Sequence, residues 1–404
     1  MASWHFGRQR TIIRTAMESG ETLIDAPSRR FRPILFGLGA WTDHLHFGYD
    51  AVSVLRPRLL VELGTDRGES YFAFCQATVE NKTDTRCFAV DNWRGDLHVG
   101  GYDEATYRQV AAHNDEHYRG FSTLVRSDFD DALPRFEDNS IDLLHVDALH
   151  TEEAVRHDLA RWLPKLRAGG ILLMHDVLVR NRGFGVWKVW ADLMKTSRAF
   201  TFEIGPGLGV WQKGEGSAPP MLESLFTAPN ESSDRLIEYY QCKAARLQQE
   251  IAQQWQDGSI RQTAFAQQTI VQVFHTRDGA HREEDSVCAR IGHESWKEIS
   301  ISLPARSGAA PLRIDFVSAF TTIDIASIVV GSSAGEHYRA DGGREFGAIR
   351  VEGDGKREPH DKSFRLKITG LDPQLYLPIL NIPETVEQPV VTLRLRISSV
   401  TPND

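Results

Sequence analysis

The 404-residue sequence has few cysteines and no long apolar run. Its four cysteines are scattered and form no CxxC pair, so neither a disulfide framework nor a cysteine zinc site is expected. No run of about 18 apolar residues occurs, and no apolar segment with a cleavage site follows the N-terminal arginines. We therefore expect a cytoplasmic protein without a transmembrane segment, with peripheral attachment at the inner face of the membrane as the alternative location.

The sequence also lacks an excess of positive charge. Its net charge is -9, and no long run of lysine and arginine interrupts the acidic background. Nucleic acid is therefore not expected as a partner. The length and the 41% of hydrophobic residues predict two or more domains, each with a core of its own.

The pattern changes along the chain and predicts four parts. Residues 1–50 would form an N-terminal helical or lid segment, 51–215 an α/β domain, 216–262 a linker with an amphipathic helix, and 263–404 a β-sandwich. In the second part, continuous apolar runs alternate with helical patterns, as in a doubly wound parallel sheet buried on both faces. These runs are RLLVEL (58–63), RCFAVD (86–91), STLVRSD (122–128), IDLLHVD (141–147) and GILLMHD (170–176). The segment FTFEIGPGLGVWQKG (200–214) predicts a terminal antiparallel hairpin.

The third and fourth parts leave alternatives open. Apolar residues of the segment 232–256 recur at helical spacing, so this helix could pair as a coiled coil in a homo-oligomer or pack on its own domain. From residue 263 onward, β-branched runs separated by turns predict an antiparallel sandwich. Its residues Trp296, Phe316 and Tyr338 could stack on carbohydrate or could belong to the core.

Polar and glycine residues follow the first strand in VELGTDRGES, where Glu62, Gly64 and Gly68 form an E-x-G-x-x-x-G arrangement. Glycines in such a turn let the backbone approach a ligand at a helix N-terminus. The dinucleotide fingerprint G-x-G-x-x-G is absent. Glycine-rich turns also arise for steric reasons, so this motif alone does not define a binding site.

Acidic residues end the next two strands. Asp91 could accept hydrogen bonds from both ribose hydroxyls, Asn92 and Trp93 could flank an adenine, and Asp128 could accept from the adenine amino group. Each acid alone could be a helix cap. Together with Glu62 they favour a nucleoside-bearing cofactor.

With these motifs, residues 55–214 resemble the class I S-adenosylmethionine-dependent methyltransferases, which share the terminal hairpin. The resemblance implies S-adenosylmethionine as the cofactor. It also implies that Glu62, Gly64 and Gly68 face the methionine part, Asp91 the ribose and Asp128 the adenine.

The stretch VDALHTEEAVRHDLARWLPKLRAGGILLMHD (146–176) is similar to sugar O-methyltransferases of the macrocin and mycinamicin type and to glycan-pathway methyltransferases. The resemblance implies that Asp147, beside the cofactor, binds magnesium and that His150 is the general base. It also implies an acidic pair after strand five. Asp176 matches one acid of that pair, but His175 stands in place of the other.

The chemistry of methyl transfer fits these residue types. A histidine with a pKa near ~6.5 can accept the proton of a sugar hydroxyl while the oxygen attacks the methyl group. A divalent cation on Asp147 and Asp176 would acidify the hydroxyl. Magnesium suits oxygen ligands, whereas a ligand at His175 would favour manganese or another transition ion. The alternative is that Asp147 contacts only the cofactor and His150 caps the helix.

Four further residues are candidates for acceptor binding. They lie before strand one, in an insertion after strand two, and directly after Asp176: His44, Tyr102, Arg180 and Arg182. Long polar insertions at strand ends are often functional. Local core or solvated surface is the alternative for each of them.

These observations lead to one expected function and two alternatives. We expect an S-adenosylmethionine-dependent O-methyltransferase that acts on a sugar hydroxyl in bacterial polysaccharide or glycoconjugate biosynthesis. Its partners would be a glycan or sugar acceptor and glycan-assembly enzymes, with the sandwich as a carbohydrate-binding or assembly module. The alternatives are a methyltransferase for a catechol-like or natural-product hydroxyl and a non-catalytic scaffold of a glycan-assembly complex.

Overall fold

The computed structural model describes most of the chain after residue 25. The described residues are 26–96, 100–101, 104–180, 183–227, 231–256, 268–275, 281, 285–292, 295–304, 311–317, 321–333, 335–360, 363–380, 382 and 388–399. The chain forms two compact units. Unit 1 comprises Met1–Trp93, Ala105–Arg180 and Phe184–Gln253, and unit 2 comprises Arg94–Glu104, Asn181–Gly183 and Gln254–Asp404.

Unit 1 is built on a seven-stranded sheet. Its strands are β1 (Leu59–Leu63), β2 (Arg86–Asp91), β3 (Ser122–Arg126), β4 (Ile141–Val146), β5 (Leu166–His175), β6 (Ala199–Phe202) and β7 (Leu208–Gln212). The spatial order is β3-β2-β1-β4-β5-β7-β6, with β1 to β5 parallel and β7 antiparallel to both of its neighbours. Every residue of β1 and β4 is buried, as expected for a parallel sheet covered on both faces. The doubly wound sheet and its terminal hairpin are therefore confirmed.

Helices cover this sheet. They are α1 (Leu45–Leu55), α2 (Glu69–Asn81), α3 (Glu104–His117), α4 (Phe129–Ala132), α5 (Glu152–Trp162), α6 (Val186–Leu193), α7 (Pro220–Phe226) and α8 (Glu231–Gln256), with 3-10 turns at Pro27–Arg30, Ala40–His44 and Leu133–Arg135. Helix α5 begins after Thr151, whose hydroxyl accepts from the backbone N–H of Ala154 at 3.3 Å. The cap therefore belongs to Thr151, and the His150 side chain is left for other contacts. Of the predicted N-terminal segment, residues 1–25 lie outside the described residues.

Helix α8 packs on unit 1 through its apolar face. Leu236, Tyr240 and Leu247 are buried. The Tyr240 hydroxyl donates to the carboxylate of Asp50 at 2.8 Å, and its ring contacts those of Phe47 and Phe202. The sequence left two arrangements open for this helix, a coiled coil or packing on its own domain. In the structure the helix packs on its own domain. A coiled coil through the same face would have to displace these contacts.

Unit 2 contains an antiparallel sheet. Its strands are β8 (Gln268–Phe274), β9 (Ser286–Gly292), β10 (Lys297–Ser302), β11 (Arg313–Val317), β12 (Thr321–Ser332), β13 (Gly335–Ala340), β14 (Arg350–Glu358), β15 (Phe364–Tyr376) and β16 (Val390–Ser399). The order is β9-β8-β11-β15-β12-β16-β10, with β13 on β12 and β14 on β15. Unit 2 also contains helix α9 (Gly343–Gly347) and a short ribbon of Gly95–Asp96 with Gly100–Gly101.

The three aromatic residues of unit 2 that could stack on carbohydrate differ in their burial. Phe316 is fully buried in the core between the strands, and Tyr338 packs against that core. Trp296 remains 41% exposed. The antiparallel strands predicted for this region are confirmed, while its division into two facing sheets stays a prediction. Among the described residues, no helix is long and apolar enough to cross a membrane.

Candidate functional site

The turn after β1 brings the ends of two strands together. Gly64 has a φ of 83°, and a Cβ atom there would collide with the carbonyl oxygen of Asp147 after β4. The Asp147 N–H donates to Leu63 O at 2.9 Å. Gly68, at a φ of 84°, leads into helix α2, and a Cβ atom there would collide with the Phe72 ring. Glycine is therefore required at both positions on steric grounds, and the turn lies directly beside Asp147.

Glu62, at the end of β1, is the centre of a buried hydrogen-bonded chain. Its Oε2 accepts from Ser70 Oγ at 2.7 Å and from His145 Nδ1 at 2.8 Å. His145 Nε2 lies 3.0 Å from the indole nitrogen of Trp41. Because an indole N–H can only donate, His145 Nε2 is the acceptor and Nδ1 carries the proton given to Glu62. Trp41 thereby fixes the tautomer of His145.

The other carboxylate oxygen of Glu62 has no such contact. Oε1 is buried and accepts no hydrogen bond within the described part of the chain. A buried acceptor of this kind is costly unless a ligand or water satisfies it. Glu62 therefore offers one oxygen to a donor group at the glycine turn.

Asp91 is largely engaged by the backbone. Its Oδ2 accepts from the N–H groups of Thr65 and Asp66 at 2.8 and 3.0 Å, and its Oδ1 accepts from the N–H of Trp93 at 2.7 Å. Burial raises the pKa of Asp91 to about 6, although the three N–H groups act in the opposite direction. Asp91 thus stabilises the turns after β1 and β2 through the backbone. Its Oδ1 keeps a lone pair that can accept from one further donor.

The two residues after Asp91 differ in their placement. Asn92 donates from Nδ2 to Asp128 Oδ1 at 2.6 Å, which joins the ends of β2 and β3. Trp93 is almost fully buried, packs against Tyr107 and donates its indole N–H to Asp66 O at 2.9 Å. In this conformation, Trp93 supports the turn and presents no open face for adenine.

Two aspartates and two histidines meet after β4 and at the end of β5. His150 Nε2 lies 2.8 Å from Asp176 Oδ2 and 3.3 Å from Asp147 Oδ1. His175 Nδ1 lies 3.4 Å from Asp147 Oδ2 and 3.5 Å from Asp176 Oδ2. The His150 ring is stacked on Phe184, with centroids 4.3 Å apart and planes 6° apart, so its orientation is fixed from one side. We call these four residues the acid–histidine cluster.

The charges of the cluster compensate one another. Burial acts to raise the pKa of Asp147 and of Asp176, but the neighbouring imidazoles outweigh it and hold both pKa values below their ordinary range. Burial acts to lower the pKa of His150, but Asp176 and Asp147 raise it to about 9. The same carboxylates raise the pKa of His175 well above its usual value. Without a ligand, the cluster is therefore two carboxylates paired with two imidazoliums.

The cluster also has the donors of a metal site. One ligand atom each from Asp147, His175 and Asp176 can be chosen so that all lie within 4.8 Å of one another. Asp176 has a φ of 60°, which is unusual for a residue other than glycine and is found at functional sites more often than elsewhere. Two carboxylates with one imidazole fit a divalent cation, and the nitrogen donor fits a transition ion better than magnesium.

The four acceptor candidates are not equivalent. His44 is buried, and its ring contacts those of Trp41 and His175. Burial and the neighbouring His175 lower its pKa well below the ordinary value, so His44 is neutral. Arg180 is exposed, with its guanidinium 4.3 Å from the centroid of the Trp187 ring. Tyr102 and Arg182 lie outside the described residues.

The terminal antiparallel hairpin, the glycine turn after β1 and the acidic strand ends are the features that the resemblance to class I methyltransferases implied for unit 1. Residues 61–177 match the family model described as a methyltransferase domain. This segment of unit 1 is therefore similar in sequence to methyltransferase domains. The match covers less than half of the chain, so it concerns this domain and not the whole protein.

One curated relative is a protein named y4gI, described as uncharacterized, from Sinorhizobium fredii (strain NBRC 101917 / NGR234). It is 42% identical over 235 residues, which are 57% of this chain and 25% of the relative. The chain thus spans about a quarter of the length of this relative.

Solved structures with local similarity include three methyltransferases. The O-methyltransferase TomG of Streptomyces achromogenes, in complex with SAM, is 15% identical, with 51% of this chain and 89% of that chain covered and a TM-score of 0.33. The SAH-bound methyltransferase PaMTH1 of Podospora anserina is 16% identical, with 43% and 78% covered and a TM-score of 0.34. A methyltransferase of Geobacter sulfurreducens is 18% identical, with 51% and 88% covered and a TM-score of 0.33. Similarity at this level carries no argument about the function of this chain.

Proposed function

We propose that unit 1 is an S-adenosylmethionine-dependent O-methyltransferase whose acceptor is a sugar hydroxyl. The observation that carries this proposal is the acid–histidine cluster, which lies at the strand ends directly beside the glycine turn. Methyl transfer to a weakly acidic hydroxyl needs an aligned oxygen and a base, and the cluster offers a histidine beside two carboxylates. Bacterial polysaccharide or glycoconjugate synthesis is the corresponding biological setting.

The cofactor would be held by the ends of β1, β2 and β3. Glu62 Oε1 would accept from the ammonium group of the methionine part, since it is a buried acceptor without a partner in the described chain. Asp91 Oδ1 would accept from a ribose hydroxyl, and Asn92 and Asp128 would face the adenine. Gly64 would act through its left-handed backbone, which lets the turn pass directly beside Asp147.

When bound, the cofactor would supply a methyl group on a sulfonium, and its thioether would leave as the sugar oxygen takes the methyl group in line. His150 would accept the proton of the sugar hydroxyl. Asp176, at 2.8 Å, then stabilises the imidazolium. Because the same carboxylates raise the pKa of His150 to about 9, its neutral, basic form would increase as the pH approaches that value or when a cation on Asp147 and Asp176 lowers the pKa. A manganese or magnesium ion on Asp147, Asp176 and His175 would supply Lewis acidity toward the acceptor hydroxyl.

The test compares two histidines close to each other in sequence. His150 belongs to the cluster, whereas His157 lies on the exposed side of α5 beside Asp130. With methyl-labelled cofactor and a panel of glycans, His150→Ala should lower the transfer rate by about 10²–10⁴-fold, while His157→Ala should leave it unchanged. Equal rates in the two variants would contradict the role of His150. Activity that survives EDTA would remove the metal from the proposal but leave the base.

Calorimetry with the cofactor separates the enzyme from the non-catalytic scaffold. We expect binding by the wild-type chain and weaker binding by Asp91→Ala. Absence of binding heat, together with no effect of the substitution, would contradict the enzyme and favour the scaffold. Transfer to a catechol but to no glycan would favour the small-molecule acceptor.

The proposal includes the rest of the chain. Unit 2 would act as a carbohydrate-binding or assembly module, with glycan-assembly enzymes as further partners and the cytoplasm as the location.

A further inference from the structure

Four side chains form a row across neighbouring strands of unit 2. Asp324 on β12 is paired with Arg365 on β15 and with Arg396 on β16. Trp296 directly precedes β10, whose first residue pairs with the neighbour of Arg396, and the Arg396 guanidinium lies 5.2 Å from the centroid of the Trp296 ring. We call Arg365, Asp324, Arg396 and Trp296 the arginine–tryptophan row.

The row is on the face of the strands that points away from the core. The residues that alternate with it, Ile323, Leu366 and Ile397, are fully or almost fully buried in the core of unit 2. Side chains on a strand alternate between its two faces, so the row lies on the opposite side. An antiparallel sheet can leave one face in contact with solvent, and functional side chains can then stand on that face.

A buried carboxylate holds the two guanidiniums in place. Asp324 is 1% exposed and accepts from Arg365 Nε and Nη2 at 2.7 and 3.1 Å and from Arg396 Nη2 at 2.8 Å. Burial acts to raise the pKa of Asp324, but the two arginines outweigh it and lower the pKa. Among these three residues, one negative charge faces two positive charges. The cross-strand neighbour of Arg365 on β14 is a second carboxylate, Glu358.

The surplus charge is accessible and has an aromatic neighbour. The side chains of Arg365 and Arg396 are 26% and 35% exposed. Trp296 is exposed although a large apolar ring at the surface is disfavoured by solvent. The next row on the same face adds an ammonium and two hydroxyls, from Lys367, Thr322 and Ser398. The Lys367 ammonium lies 3.8 Å from the Glu358 carboxylate and balances its charge.

We propose that this face binds a polysaccharide that carries carboxylate groups. The apolar C–H face of a sugar ring can stack on an indole, and a guanidinium recognises a carboxylate through directed hydrogen bonds. The arginines are already oriented by Asp324, so less conformational entropy is lost on binding. A single-stranded nucleic acid stacks successive bases on several aromatic rings, whereas Trp296 is the one aromatic ring of this row, so the row fits a carboxylated sugar better. Binding at this face deepens the proposed carbohydrate role of unit 2 and requires neither the cofactor nor the cluster of unit 1.

The experiment uses the full chain and two forms of one polymer. Binding of polygalacturonate is measured against its methyl-esterified form, which has the same backbone without the negative charges. We expect the wild-type chain to bind the acid form at least tenfold more tightly, with an affinity that falls as salt is added. Trp296→Ala and Arg396→Ala should each weaken this binding at least tenfold.

Two controls keep the result specific. Lys297→Ala removes a positive charge next to Trp296 but on the opposite side of the strand, and it should leave binding unchanged. Thermal unfolding checks that the variants are folded; Trp296→Ala is the safer variant because its ring is exposed and carries no buried charge.

Several outcomes would overturn the proposal. These are equal binding of the two polymers, no binding of the acid form, and unchanged binding by Trp296→Ala. Tighter binding of single-stranded oligothymidine, lost in the same variants, would assign the face to nucleic acid. Because methyl transfer is measured separately, failure here leaves the function proposed for unit 1 in place.

Discussion

The two units bury carboxylates in different surroundings. In unit 1, Asp50 accepts from Ser28 and Tyr240, and Glu69 from Thr42 and the Leu38 N–H, all of them neutral donors. Burial raises the pKa of Asp50 and of Glu69 to about 7. In unit 2, Asp324 is equally shielded from solvent but lies less deep in the protein, and its pKa is lowered because Arg365 and Arg396 face it.

The comparison shows that burial alone does not set the charge of an acid. A neutral donor partly offsets the rise in pKa that burial causes. A nearby permanent cation lowers the pKa of the acid below its ordinary value. The acid–histidine cluster of unit 1 follows the second pattern, with imidazoles as the cations. Its charges therefore depend on groups that can themselves lose a proton, unlike the guanidiniums of unit 2.

The largest expected effect concerns Asp50. Its pKa is raised from 3.8 to about 7, so the stability it contributes is full below pH 4 and is lost as the pH rises through 7. The rise in pKa from 3.8 to about 7 corresponds to at most about 4 kcal/mol of unfolding free energy. The free energy of unfolding of the wild type should fall, relative to that of Asp50→Asn, between pH 4 and 7.5. Denaturant titrations measure this slope; Asp138→Asn, at an exposed site, should not change it, and parallel curves would contradict the assignment.

The second prediction tests whether the Asp176 carboxylate raises the pKa of His150. In Asp176→Asn, the pKa of His150 should fall from about 9 by roughly 1–3 units, because the carboxylate 2.8 Å away is its strongest source of stabilisation. NMR titration of the histidine ring protons measures this change. Asp192→Asn, on the surface of unit 1, should leave the pKa of His150 where it is. A His150 pKa that stays near 9 in Asp176→Asn would mean that Asp147 alone accounts for it.

The third prediction tests a buried carboxylate whose partners are neutral donors. Glu62→Gln removes the negative charge at Oε1 but keeps the shape of the side chain. A hydrogen bond to a charged group contributes about 1.5–3 kcal/mol, so the affinity for the cofactor should fall roughly 10–100-fold. Calorimetry measures this loss, and circular dichroism checks the fold. Unchanged affinity in a folded variant would place the ammonium group of the cofactor elsewhere.

The smallest effect is expected for Asp324 in unit 2. Since its pKa is lowered, the stability that it contributes is present above pH 4 and is lost as the pH falls below it. Both arginines are partly solvated, so Asp324→Asn should cost only about 1 kcal/mol at neutral pH. Urea titrations at pH 7 and pH 3 should show this cost at pH 7 and a smaller one at pH 3. A larger loss of stability at pH 3 than at pH 7 would mean that Asp324, like Asp50, stabilises the protein in its protonated form.

The sequence predicted the parts of unit 1 that depend on local patterns. The runs RLLVEL and RCFAVD coincide with β1 and β2 to within one residue, since buried parallel strands are continuous apolar segments. The positions of Glu62, Asp147 and His150 at strand ends follow from the same pattern. Strand β5 begins at Leu166, earlier than predicted. Its first five residues include two glycines, and this pattern resembles the end of a helix.

The missed contacts join residues that are far apart in the chain. Trp41 and His145 are separated by 104 residues, and Asp50 and Tyr240 by 190. No spacing rule connects such positions, and a histidine inside an apolar run gives no sign of its partner. The burial of Trp93 likewise depends on Tyr107 in a following helix. Only the excess of histidines near strand one, in WTDHLHFGYD, could have drawn attention to Trp41.

The bond between Tyr240 and Asp50 has a practical consequence for dividing the chain. Helix α8 is the amphipathic helix predicted within the linker region 216–262, and unit 1 extends to Gln253. A protein truncated after residue 215 would lose the hydroxyl that Asp50 accepts from, and the rings of Phe47 and Phe202 would become exposed to solvent. For expression of unit 1, the boundary therefore belongs after the helix, near residue 256, so that helix α8 is kept, although Arg94–Glu104 and Asn181–Gly183 group with unit 2.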